Sequence, residues 1–130
     1  MAAIACAALA ATGSTGNNNH ASVELGPETS QLAVAFIVEA VGATPAVTFK
    51  LQATFDRAKD VADGAVAWFD LLLIPADSDT GAVGSTVTAV GQYARYLAQA
   101  HSRFVRRVRL VTSSNTNVTY RAHLHAVNSR

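Results

Sequence analysis

"AVTFKLQATFD", residues Ala46 to Asp56, is the stretch whose reading decides the fold. Val47, Phe49, Leu51, Ala53 and Phe55 alternate with Thr48, Lys50, Gln52 and Thr54. A strict period of two, rich in β-branched and aromatic residues, is the pattern of a strand buried on one face. Pro45 precedes the run, where a strand can begin without losing a ladder hydrogen bond.

The same logic extends outward. Upstream, "SVELG" is a short strand ending at Gly26-Pro27, and "QLAVAFIVEAVG" places Leu32, Val34, Phe36 and Val38 on one face. Downstream, "VAWFDLLLIP" reads as a strand stopped by Pro75, "TVTAV" as a short strand, and "GQYARYLAQAH" leans to strand over helix. Charged "RAKDVADGA", Arg57 to Ala65, is a connection with room for one helical turn. "RFVRRVRLVT" and "VTYRAHLHAV" close the chain, and the polar "SSNTN" between them reads as a hairpin turn. About eight short strands with turn signals between them predict an all-β domain, a single jelly-roll-like β-sandwich over residues 22–130. Residues 1–21 are expected to form an extended N-terminal arm and an Asn-rich loop. "MAAIACAALAATG" has no Lys or Arg and too short an apolar run for a signal peptide, and a membrane span needs about 20 apolar residues. A terminal strand fits it better.

The chain of 130 residues is half apolar and carries a formal net charge of +1. Its charge is unevenly distributed. Residues 1–90 hold all nine acids and three bases, a net of −6, whereas residues 91–130 hold seven Arg and no acid, a net of +7. Such a split reads either as a basic arm for nucleic acid or as basic strands beside acidic neighbours. On a strand, Arg106 shares its face with Phe104, Val108 and Leu110, while Arg103, Arg107 and Arg109 take the other face with Val105 and Val111. A nucleic-acid surface combines a continuous basic face with exposed aromatics. The mixture here suits contact with protein, where the planar guanidinium holds its geometry and sheds water more easily than an ammonium.

Chemistry-bearing motifs are sparse. The single Cys6 has no partner for an internal disulfide. His123 and His125 share a strand face, but Arg121 lies on that face too and no third metal ligand is evident; His20 and His101 fall in loop-like contexts. "DSDTG" begins like a calcium loop, yet its fifth position is Gly81, its sixth Ala82 and its twelfth Thr88, which breaks the pattern. Asp56, Asp60 and Asp63 lie in a charged loop and read as solvated carboxylates rather than an acid/base set. No nucleophile elbow, phosphate loop or dinucleotide fingerprint occurs. No cofactor is expected.

Taken in order, "VTFKLQATFD", "WFDL", "RFVRRVRLVT" and "VTYRAHLHAV" resemble a family of small all-β virion proteins of tailed bacteriophages, of the minor capsid, decoration or cement type. The resemblance spans roughly residues 22–127; the loop from Arg57 to Ala67 is longer than the pattern expects. It implies a non-enzymatic subunit bound to the outside of an icosahedral capsid and stabilising it against internal pressure. Its partners would be the major capsid protein and further copies of itself, with no nucleic acid and no membrane. It would reside in the virion after assembly in the host cytoplasm. The expected contact residues are Arg103, Arg106, Arg107, Arg109, Arg121, His123, His125 and Trp68. A tail or neck component of the same particle is one alternative. A carbohydrate-binding module using Trp68, Tyr93 and Tyr96 for stacking is another.

Overall fold

The alternating run around Val47 belongs to a strand more than twice its own length. In a computed structural model describing residues 3–25, 29–55, 62, 65–75, 81–97 and 105–128, β3 extends over Thr29–Thr54. Before it come β1 (Ala3–Ser14) and β2 (Val23–Glu24); after it come β4 (Phe69–Asp70), β5 (Leu73–Pro75), β6 (Ser85–Val87), β7 (Gly91–Leu97) and β8 (Arg107–Asn128). The all-β expectation holds. The eight strands form one antiparallel sheet with the main order β1-β8-β3-β7-β5; β2 pairs with β8, and β4 and β6 pair with β3.

One sheet supplies both layers because β3 and β8 bend together. They pair from Thr29↔Asn128 to Thr54↔Arg107, and the register slips between Val41 and Thr48. Opposite this slip, Ser114 and Asn117 take positive φ values of 53° and 54°, and Thr44 has 43°. Phe36 and Phe49 lie thirteen positions apart on β3, roughly 43 Å along a straight strand. Their rings nevertheless stack at 4.2 Å, and Phe36 also stacks on Tyr120 at 5.0 Å. The N-terminal half of β3 therefore folds over its own C-terminal half. Val34, Phe36 and Val38 meet Val47, Phe49 and Leu51 in one core, joined from β8 by Val108, Leu110, Ala122 and Leu124. Burying both inner faces against each other supplies the main stabilisation.

This bend corrects the hairpin expectation. "SSNTN" is not a turn joining two paired strands but a kink within β8. Each half of β8 pairs with β3, and the halves lie in different layers. The polar residues that mimic a turn satisfy the backbone where the ladder breaks. Val118 N–H donates to Asn115 Oδ1, Asn115 Nδ2 donates to Val118 O, and Asn117 Nδ2 donates to Ala43 O at 2.7 Å. Asn tolerates the left-handed conformation at modest cost. The strand expected over Val66–Pro75 is also divided. β4 pairs with the second half of β3, whereas β5 pairs with β7, so the chain changes layer at Leu71–Leu72. β7 confirms the strand reading of "GQYARYL".

The N-terminal segment lies along its own chain. β1 pairs with β8 from Ala3↔Asn128 to Ser14↔Tyr120, Asn19 bridges Val111, and β2 meets Arg107 and Val108. Residues 3–24 thus run beside β8 through the bend. The Asn-rich loop is tied there by Thr112 N–H to Asn18 O and by Asn115 N–H to Asn17 Oδ1. Most of the Arg57–Ala67 connection, and Asp77 to Thr80, fall outside the described residues.

The corner depends on a close approach at Gly42, where an added Cβ would lie 2.9 Å from Asn117 Cβ. Gly42→Ala is expected to destabilise the fold by about 1–3 kcal/mol. Urea unfolding should show this as a lower midpoint with an unchanged slope.

Candidate functional site

Alternation on β8 directs Arg107 and Arg109 to the same outer face, and the pairing register sets what they meet. Gln52 of β3 stands opposite Arg109 and also opposite Asp70 of β4. Arg109 donates from Nε and a terminal nitrogen to Gln52 Oε1 at 3.0 and 2.7 Å. Gln52 Nε2 donates to Asp70 Oδ1 at 3.0 Å, and Lys50 Nζ lies 3.2 Å from the same oxygen. The hydrogen bond from Gln52 and the nearby Lys50 ammonium hold the Asp70 carboxyl below its ordinary pKa. The result is a polar ladder across three strands.

Trp68 covers the β8 end of this ladder. Its ring centroid lies 4.4 Å from the Arg109 guanidinium carbon and 5.7 Å from that of Arg107. Arg107 is only 1% exposed. A desolvated guanidinium over an indole face is worth about 2 kcal/mol. Trp68, Arg107 and Arg109 therefore form one stacked unit within the chain.

The remaining expected contact residues lie elsewhere. Arg106 is half-buried and donates to Val105 O at 3.4 Å. Arg121 lies in the other layer, its Nε 3.9 Å from Glu39 Oε2, while Glu39 Oε1 accepts from Gly13 N–H. His123 is half-buried opposite Ala8, and His125 is exposed opposite Cys6. Arg103 falls outside the described residues. The described cations thus do not gather into one basic face. Among the described residues, no group of three or more His, Cys, Asp or Glu side chains is placed to hold a metal.

The charge split seen along the sequence is partly closed in space. β8 carries three of the seven late arginines, Arg107, Arg109 and Arg121, and lies between β1 and β2 on one side and β3 on the other, so earlier acids flank it. Glu39 approaches Arg121, Asp70 reaches Arg109 through Gln52, and Glu24 stands opposite Arg107.

Sequence reasoning missed a second network. His20 Nε2 lies 2.8 Å from the hydroxyl of fully buried Tyr120, which lies 2.8 Å from Thr112 Oγ1. Thr112 Oγ1 donates to Gly16 O and accepts from Asn18 N–H. With its proton directed there, Tyr120 donates to Thr112 and accepts from His20 Nε2–H. This chain pins the loop to the core. Its one sequence signal was a His following an Asn-rich run. Beside it, where the strands bend, an open cleft is bordered by Gly16, Val41, Asn115 and Asn117.

Two measurements check these networks. Burial lowers the His20 pKa below the usual 6.5. Its contribution to stability is therefore complete above pH 6.5 and declines as pH falls towards the folded-state value, because the unfolded chain takes up the proton first. Urea unfolding between pH 7.5 and 5.5 should show this decline, and His20→Gln should flatten it. Trp68 is the chain's only tryptophan, so its fluorescence reports on the stack. Arg109→Ala should increase acrylamide quenching of Trp68 and cost about 1–2 kcal/mol.

No family model and no curated protein matches the sequence. Among solved structures, the fold is similar to the crystal structure of the SPBc2 prophage-derived protein YomS. The TM-score is 0.67 at 11% sequence identity, with 98% of this chain and 96% of that chain covered.

Proposed function

We propose that the chain is a non-enzymatic structural component of a bacteriophage-type particle, carried in the virion as a decoration or minor capsid protein. The observation that carries this reading is the end-to-end correspondence of fold with a prophage-derived protein. It accords with the order of strand motifs that resembles small all-β virion proteins. The site described above suits a load-bearing role. Its polar groups are tied across neighbouring strands and stiffen the sheet. On this reading the partners are the major capsid protein and other copies of the chain, and the mechanism is burial of surface at the contacts. A stable contact of this kind buries on the order of 1,200–2,000 Å² in total.

Gradient-purified particles, probed with an antibody to this chain and gold-labelled for electron microscopy, provide the test. The chain should co-purify in many copies and be labelled over the head. Labelling at the tail or neck would replace the capsid role with a tail role. Absence from the particle would overturn the virion reading.

A further inference from the structure

A sheet edge is a row of unpaired N–H and C=O groups, and stable monomers blunt such edges. This chain blunts most of its edges. β2 and β4 are two residues long, β6 is three, and β5 is three and ends in Pro75. β1 differs. It is twelve residues long, ends the main strand order and, among the described residues, pairs only with β8. Its sequence, "AIACAALAATGS", contains no charged residue and no proline. From Ala3 to Ala8 it pairs with β8 without a register shift, and the first irregularity comes after Ala8. Along those six residues no bulge turns the edge away.

We infer that the free edge of β1 pairs antiparallel with β1 of a second copy, joining two sheets across a two-fold axis. An identical strand fits this edge for a definite reason. Like charges placed opposite each other destabilise a strand pair, and an uncharged strand meeting its own copy has none. A charged partner strand would find no counter-charge here. Among the described residues, the positive side chain nearest the edge, Arg121, lies on β8. In the pair it is separated from its copy by three strand spacings, roughly 14 Å, which exceeds the physiological screening length. A two-fold axis makes the contact self-complementary and closed, so pairing ends at two copies along this edge. Cys6 and Ala8 are exposed side chains beside the contact.

This inference supplies a surface for the proposed assembly role, and the two fail separately. A chain paired through β1 yet absent from particles would sink the virion reading alone. A chain found in particles but unpaired in solution would sink this one alone.

Cys6 is the only cysteine, so a nitroxide placed on it reports a single position. Sedimentation of the whole purified chain should show a dimer, and pulsed spin–spin measurement should place the two labels within about 25 Å, given roughly 3.4 Å per residue. A dimer joined through β5 instead would separate them by nine strand spacings, about 43 Å. That distance, or a monomer, would overturn the inference. Ala8→Lys puts a charge on the edge without touching the core. It should weaken dimerisation at least tenfold while the circular dichroism stays unchanged. A variant that remains folded and equally dimeric would overturn the inference as well.

Discussion

An inner face on a two-stranded ribbon as long as β3 and β8 is costly to leave in water, and a ribbon buries it by folding back on itself. Folding a ladder requires both strands to yield at the same level, because a bend in one alone would leave the other's N–H and C=O groups facing nothing. Here the yielding residues on β3 include Gly42 and Pro45, and those on β8 are the amides Asn115 and Asn117. Glycine permits the close approach, proline has no N–H to lose, and the asparagine side chains take over the interrupted backbone bonds. The stacking of Phe36, Phe49 and Tyr120 follows from that shared corner, as does the clamp that holds the Asn-rich loop.

The corner also organises the charges. Because β8 is the shared inner strand of both layers, its arginines are flanked by segments that carry acids. The separation of acids and bases along the chain therefore becomes adjacency across the sheet. Arg107 is buried without being stranded, since Trp68 covers it and the neighbouring Arg109 is held by Gln52. Polar ladders of this kind tie β4, β3 and β8 into a unit whose stiffness comes from side chains as well as from backbone pairing.

Much of the secondary structure was legible. Alternation around Val47, Val34, Val108 and Tyr120 located the long strands, and proline and glycine marked several boundaries. Their connectivity was not legible. A period-two pattern interrupted by Ser, Thr and Asn looks the same whether the chain reverses in a hairpin or kinks and continues, because both leave backbone groups for short polar side chains to satisfy. Trp68 and the arginines were singled out as a contact surface, yet their mutual stacking depends on the β3–β8 register, which no local pattern encodes. His20 passed as a loop residue because its partner, Tyr120, lies a hundred positions away.

β8, which pairs with β1, β2 and β3, is the last of the described strands. Every partner of β8 is synthesised before it, and none of the pairs it makes with β1, β2 or β3 is local in sequence. While the ribosome is still translating the first hundred residues, β1 and β3 have emerged without the ribbon that belongs between them. Nascent chains therefore pass through a stage in which β1 and β3 exist without the strand that joins them. Non-local closure of this kind folds slowly. Early termination within β8 removes the common neighbour of both layers, so the cost falls on the whole architecture rather than on one margin of it.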